Sequence, residues 1–292
     1  MKTDLLLDIE IPALRALINV LGPHVSITDF EEHLLLAAVR ASMHTWKQGD
    51  RLLGFAYVDE YNNLLFETLP DFEQLDQLES EIVAWGVAYL QKRNSETGEH
   101  STLDHCCSPD NAHRIHVLVK HGFKKEAIHT LRYSRSLALP IKACPLPVGF
   151  LTRCVRGREE VEALVALHRA AFGTDHMDVE ERLAMMSTPY YRRELDLVAV
   201  APNGELAGFC VCGFEDRAQL VGYTDPIGTH PQYQRLGLGK AILAKGLTNL
   251  KNAGAQTARL GTSSENTAMQ KLAAVSGFIC VEEKLWFSKI IE

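Results

Sequence analysis

The residues best suited to chemistry lie in the stretch His230-Pro-Gln-Tyr-Gln-Arg-Leu-Gly-Leu-Gly-Lys-Ala-Ile-Leu, which runs from a strand-like segment directly into a helical one. Glycines 237 and 239 remove side chains where the chain turns, so successive backbone N–H groups can surround an anion. A helix that begins there adds its positive end and its unpaired donors. A pyrophosphate is the natural ligand. Arg235, Lys240 and Lys245 add positive charge, and no acidic residue occurs from 232 to 245. A Walker loop would require Ser or Thr after Gly239-Lys240, where Ala241 stands. A dinucleotide fold would require a third glycine early in a βαβ unit, which is also absent.

Elements that can hold such a loop follow from periodicity. Val148 to Val155 predicts a strand, Glu159 to Ala171 an amphipathic helix and Val179 to Met186 a second helix. Asp196 to Ala201 and Glu205 to Phe214 flank Pro-Asn-Gly, a strong hairpin signal. A strand from about Ala218 to Thr229 precedes a helix from Leu238 to Ala253 closed by Gly254. A strand from Ala258 to Thr262, a helix from Asn266 to Val275 and a strand from Ile279 to Ile290 complete an α+β set around one mixed sheet.

The same order recurs, diverged, in the first half from about Met43, after a helical opening. Leu206-Ala-Gly-Phe209 repeats Leu52-Leu-Gly-Phe55 at an offset of 154, and Pro231-Gln-Tyr-Gln234 repeats Pro70-Asp-Phe-Glu73 at 161. Asn266 precedes Gly277-Phe278 as Asn111 precedes Gly122-Phe123, both at 155. Three prolines within LPIKACPLP, 139 to 147, deny both helix and central strand and mark a linker. Two domains are therefore expected, 1–140 and 148–292, as the length of 292 residues also suggests.

Hydrophobic residues at 46% and charged ones at 23% exclude disorder, collagen and coiled coil. The net charge of −7 argues against nonspecific binding to nucleic acid or to an anionic membrane. Residues 1 to 146 hold 14 basic and 20 acidic side chains, residues 147 to 292 hold 16 and 17, so the halves carry −6 and −1. Seven cysteines, an odd number without a Cys-x-x-Cys pair, suggest a reduced protein, and no signal peptide or membrane span is evident. A cytoplasmic location is the expectation.

The run Gln234-Arg-Leu-Gly-Leu-Gly239 resembles the Gln/Arg-x-x-Gly-x-Gly/Ala signature of the GNAT acetyltransferase superfamily, and Asn266 with Gly277-Phe278 is similar to its second motif. The resemblance covers 148 to 292 and, more faintly, 43 to 138. It implies two tandem domains of that fold, each with a central mixed, mostly antiparallel sheet flanked by helices. It also implies acetyl coenzyme A as donor and direct attack of an amine on the thioester. Carried onto this chain, Ile227, Gly228 and Thr229 would hold the pantetheine arm through backbone groups. Gln234, Arg235, Leu236, Gly237, Leu238, Gly239 and Lys240 would hold the pyrophosphate, with Asn266 beside them. A tandem layout is similar to that of mycothiol synthase, which gives a further alternative of amide formation on an amino sugar. A non-catalytic coenzyme A sensor or structural module is the other alternative.

The strand Val221-Gly-Tyr-Thr-Asp-Pro-Ile-Gly-Thr229 contains a proline, which costs a ladder donor and so marks a bulge or splay at Pro226. Asp225 sits at that break. As general base it would take the proton an attacking amine must shed, with Glu215 or Asp216 competing for the role; the plainer alternative is a turn cap before proline. Where the superfamily often has a tyrosine seven residues after the asparagine, this chain has Ala273. Tyr223, two residues before Asp225, and Ser276, one turn beyond Ala273, are the candidate proton donors to the leaving thiolate.

At the equivalent loop of the first half, Asp76 stands for Gly237 and Leu78 for Gly239, and Asp71, Glu73, Asp76, Glu79 and Glu81 put five carboxylates where a pyrophosphate would sit. This half is expected to keep the fold and to lack a donor site. Asp104, His105, Cys106, Cys107, His113, His116 and His121 are metal-capable, but adjacent cysteines point to opposite sides of a strand, and no metal is expected. Asp29-Phe-Glu-Glu32 has an ordinary acidic capping pattern. The acceptor is expected to be a small-molecule amine, possibly drawn in as a cation by the acidic half, and the protein a monomer or homodimer, with neither nucleic acid nor membrane as partner.

Overall fold

The computed structural model describes residues 2–6, 8–21, 27–216 and 220–292. The chain forms two compact units. The first comprises Met1–Val25, His33–Thr130 and Glu283–Glu292, the second Ser26–Glu32 and Leu131–Glu282. Against the expected division at 140 and 148, three segments change sides. The short piece Ser26–Glu32 and residues 131–140 belong with the second unit, and the last ten residues belong with the first.

In chain order the first half supplies β1 (Lys2–Leu5), α1 (Ile11–Leu21), α2 (Ile27–His33), α3 (Ala37–Ser42), β2 (His44–Gln48), β3 (Arg51–Val58), β4 (Leu64–Thr68), α4 (Leu75–Thr97), β5 (Ser101–Cys107), α5 (Ala112–Lys120) and β6 (Lys124–Ser136). The opening is thus helical as expected, with β1 in addition, paired antiparallel to β2. Strands β1 to β4 form an antiparallel sheet in sequence order. Its β3–β4 turn is held by Asp59, whose Oδ1 accepts the backbone N–H groups of Tyr61 and Asn63 at 2.9 and 2.8 Å. Strand β5 finds its partner at the far end of the sequence, pairing from Ser101 with Ile291 to Cys107 with Leu285. Leu285, Phe287 and Ile291 are accordingly buried in the first unit's core with Leu53, Leu78, Ile82 and Leu103.

The second half supplies β7 (Leu151–Cys154), α6 (Val161–Phe172), α7 (Val179–Met185), β8 (Asp196–Val200), β9 (Leu206–Asp216), β10 (Val221–Thr229), α8 (Leu238–Asn252), β11 (Thr257–Ser263), α9 (Thr267–Val275) and β12 (Ile279–Ile291). These match the expected elements, β7 being shorter than the run predicted from Val148. Part of the strand predicted from Ala218 lies outside the described residues. Strands β7, β8, β9, β10 and β11 are neighbours in that order, antiparallel except for the parallel pair β10–β11. Alternation along the strands sorts side chains to two faces. Leu197, Cys210 and Leu260 pack with Ile242 and Leu247 of α8, whereas Val198, Phe209 and Val211 pack with Leu164 and Leu167 of α6. The architecture is the expected α+β one, a mixed sheet covered by helices.

Residues 137–150 carry no helix or strand, as the prolines dictate. All seven cysteines are unbridged. Among the described residues no helix is long and apolar enough to cross a membrane, and no cluster of three or more His, Cys, Asp or Glu side chains could hold a metal ion.

Candidate active site

The site is built around an interruption in β10. Thr224 pairs with Cys212 of β9 and Ile227 with Cys210, so Asp225 and Pro226 together face a single intervening residue. This is the bulge that Pro226 announced. On its other side β10 pairs with β11 only from Val221 to Tyr223, the last pair being Tyr223 with Arg259. Beyond it, Thr224 Oγ1 donates to Arg259 O at 3.4 Å and Gly261 N donates to Asp225 Oδ2 at 3.2 Å. Two parallel strands therefore part at Asp225, and the backbone groups of Ile227, Gly228 and Thr229 that would face β11 are released from its ladder.

The loop after β10 forms a short 3-10 turn, Pro231–Tyr233, capped by His230. Arg235 and Gly237 then take left-handed backbone angles, φ 64 and 83. Glycine adopts that conformation freely, which is what a side chain at 237 would oppose. Gly237 is the N-cap of α8, and the first intrahelical bond runs from Ala241 N to Gly237 O. The N–H groups of Leu238, Gly239 and Lys240 thus have no acceptor within the helix. At Gly239 packing makes no demand for glycine: an added Cβ would meet Thr229 Oγ1 at 3.5 Å and Leu272 at 3.7 Å, ordinary contacts. Open donors, alternating left-handed residues and Lys240 make a cradle whose chemistry fits a pyrophosphate. Gln234 is used within the loop, its amide donating to Thr229 O at 3.3 Å. Asn266 caps α9, accepting from Met269 N at 3.0 Å, as Asn111 caps α5 from Arg114 N at 3.0 Å.

Asp225 is open to solvent, yet the strands around it are dense enough that desolvation, with the negative charge of Asp29 adding to it, pushes its carboxyl up to about 7 against the pull of the Gly261 N–H. Tyr223 lies across its register partner, where a Cβ on Gly213 would come within 2.4 Å of the phenol oxygen. Burial, then Asp29 and Glu32, raise its ionisation far above the usual phenol range, so it remains an O–H donor. Tyr223 thus leans on β9 while Asp225 reaches β11. Of the competing bases, Glu215 is paired with Arg259 at 2.7 Å, and the side chain of Asp216 lies outside the described residues. Ser276 caps the end of α9 and lines a different cavity, with Arg135 and Lys240.

Asp29 and Glu32 are the surprise. Their pattern suggests only a capping role, yet α2 is held to β9 by Thr28 Oγ1, which donates to Phe214 O at 3.0 Å. Glu32 is pushed up to about 8 by burial, then by Asp29 and Glu181, with Arg182 opposing. Nearly two hundred residues separate α2 from β10, and no local pattern signals the meeting. On the α6 face beside Pro226 is a cavity of about 10 Å³ lined by Leu164, His168, Met177, Arg182, Phe209 and neighbours. Burial, with Arg182 second, pulls His168 down to about 4, so the ring is neutral. Beneath it Arg182 is ion-paired with fully buried Asp196, which also accepts from Tyr191 Oη at 2.8 Å.

In the first unit side chains bridge the strands β4 and β5. Strands β4 and β5 touch only through the bridge of Asn63 with Asp104. Between them His105 Nδ1 lies 2.7 Å from Leu64 O, and Arg114 Nη1 donates to Phe66 O at 3.3 Å with its guanidinium over the Phe66 ring. Arg114 also donates to Glu79 Oε1 at 2.7 Å. Leu78, at the position of Gly239, is fully buried.

A bulged strand, a splayed parallel neighbour and a glycine-capped helix on an α+β sheet define a recognisable class of fold. Solved structures agree. The GCN5-related N-acetyltransferase from Sphaerobacter thermophilus superposes with a TM-score of 0.74 at 18% identity, covering 100% of this chain and 96% of that one. A tandem GNAT protein from the clavulanic acid biosynthesis pathway gives 0.66 at 13%, covering 97% and 94%. Residues 161–278 match the model of the Acetyltransferase (GNAT) family. That match covers less than half of the chain. Among curated relatives, mycothiol acetyltransferase of Salinispora arenicola is 32% identical over 152 residues, 49% of each chain, and that of Sanguibacter keddieii is 28% identical over 144 residues, 47% of this chain and 45% of its own. The chain spans about half the length of the curated relatives it matches.

Proposed function

We propose that the protein is an acetyl-CoA-dependent N-acetyltransferase whose active site lies in the second unit. The observation that carries this reading is the parting of β10 and β11 at Asp225 directly ahead of the unfilled N–H cradle of α8. Acetyl-CoA supplies the thioester carbonyl. The loop of Gln234 to Lys240 binds its pyrophosphate, and the free backbone of Ile227, Gly228 and Thr229 orients the arm. Asp225, with a carboxyl near 7, takes the proton from the attacking amine nitrogen. Tyr223, permanently protonated, is the available O–H donor on the β9 side, whereas Ser276 is remote from it along α9. The carboxylate of Asp29 favours an acceptor that arrives as an ammonium ion. A small-molecule amine in the cytoplasm suits these groups.

The first unit serves as scaffold: Leu78 occupies the place of a glycine, and Arg114 and His105 take the strand carbonyls that a donor would use. A second reading, amide formation on an amino-sugar conjugate, is favoured by the curated relatives called mycothiol acetyltransferase. Calorimetry with acetyl-CoA tests the main reading. Saturable binding that Gly237→Asp abolishes supports it, and its absence removes the donor. Thiol release with a panel of amines, slowed by Asp225→Asn, separates an enzyme from a mere coenzyme A sensor.

A further inference from the structure

Beside the C-terminal end of α9 the second unit contains a cavity of about 300 Å³, at the lower end of small-ligand sites. Its walls are Arg135, Leu139, Pro140, Ile141 and Lys142 from the linker side, Lys240, Ala244 and Leu247 along one face of α8, and Val275, Ser276 and Gly277 after α9. Three of these residues are cationic and none is acidic.

Arg135 is the telling one. It is 5% exposed, and every partner it has is a carbonyl: Nη1 donates to Ser276 O, and Nη2 donates to Pro140 O at 2.7 Å and Leu139 O at 3.4 Å. Its Nε is buried with no partner at all. A buried guanidinium without a carboxylate is costly, and here burial alone lowers its pKa. The arrangement is nevertheless accommodated closely, since a Cβ on Gly277 would stand 3.4 Å from Nη1. Residues 140–142 carry no helix or strand, Ile141 packs on the core, and Lys142 and Lys240 both line the cavity.

We propose that this cavity binds a phosphate monoester dianion, held by Arg135, Lys142 and Lys240. The anion supplies the countercharge that the protein withholds, and Ser276 adds a hydroxyl donor. Lys240 also belongs to the first turn of α8, so the dianion is either the 3′-phosphate of the donor, a source that rests on the function proposed above, or a separate phosphorylated metabolite.

The test compares coenzyme A, 3′-dephospho-coenzyme A and adenosine 3′,5′-bisphosphate by calorimetry on the wild-type protein, Lys142→Gln and Lys142→Glu. Lys142 is exposed, so both variants fold, and melting curves check it. If the donor is the source, wild type prefers coenzyme A over the dephospho form by on the order of tenfold, the yield of one charge-assisted hydrogen bond. Lys142→Gln shrinks that preference and Lys142→Glu erases it, with dephospho-coenzyme A binding unchanged. If the source is separate, the bisphosphate binds saturably in the presence of saturating coenzyme A and loses affinity in the same variants. Equal affinity for both coenzyme forms together with no bisphosphate binding overturns the proposal. Failure of dephospho-coenzyme A to bind would instead count against the donor reading and leave the bisphosphate arm to decide on the cavity.

Discussion

Gly261 N donates to Asp225 Oδ2 at 3.2 Å, across the point where two parallel strands part. The carboxylate therefore reaches across the splay to a backbone donor of β11. Its proton affinity is set by the desolvation that the surrounding strands impose, against that N–H, and the balance lies near 7.

A base must be ionised to act, so the rate with a fixed amine rises with pH through about 7 and levels above it. Asp225→Asn removes this limb and lowers kcat by roughly 10²- to 10⁴-fold. A pH–rate profile of both proteins checks it; an unchanged limb in the variant would assign the titration elsewhere.

Glu32 gives the opposite signature, in stability. Its folded pKa of about 8 lies above the ordinary 4.5, so its contribution is fully present below pH 4.5 and is lost as pH rises through about 8. Glu32→Gln has little effect on melting at pH 4.5 and raises Tm at pH 8.5 by about 3 °C or more, the equivalent of roughly 1 kcal/mol. Differential scanning calorimetry at the two pH values reads the sign directly.

Gly239→Ala separates fold from function. The new methyl finds only ordinary contacts, and alanine gains up to about 1 kcal/mol of helix propensity, so stability holds or improves. Donor affinity falls on the order of tenfold if the backbone there must approach a ligand closely. Paired urea denaturation and calorimetry decide, and a variant that binds normally removes Gly239 from the cradle.

Gly213→Ala is expected to behave differently. Its Cβ would collide with the Tyr223 phenol, displacing the ring at a cost of about 1–3 kcal/mol. The kcat loss should equal that of Tyr223→Phe, with donor Kd unchanged. Steady-state kinetics of the two variants are the comparison.

In the first unit, Arg114→Ala leaves Glu79, 2% exposed, without its guanidinium partner, with His113 at 3.5 Å remaining, and costs about 3–5 kcal/mol. The double variant Arg114→Met with Glu79→Leu recovers most of it. Denaturant titration measures both, and coenzyme A binding by the intact double variant stays as in wild type.

The sequence was most legible where backbone chemistry leaves a residue signature. Pro226 marked the bulge, Gly237 the left-handed cap, Asn203 the hairpin and both asparagines the caps of α5 and α9. It was silent where placement depends on distant segments. Nothing near Asp29 or Glu32 signals contact with β9, because a hydroxyl such as Thr28 finds a carbonyl equally well anywhere. The five carboxylates of the first half raised the expectation of a lost anion site, but the packing of Arg114 against Glu79 and Phe66 needed α5 and β4 in place. Ser276 illustrates the reverse: helical spacing put it on the face of Ala273, and the helix ended first.

The last ten residues complete the first unit, and this fixes an order of synthesis. Leu285, Phe287 and Ile291 enter a core whose other members lie before residue 124. A growing chain makes that earlier part, then some 150 residues of the other unit, before the missing strand emerges, a wait of roughly 10–30 s at about 5–20 residues per second. The unit translated first is therefore the last to be finished, and β5 spends the interval without its β12 partner, its ladder groups open to pairing with other chains.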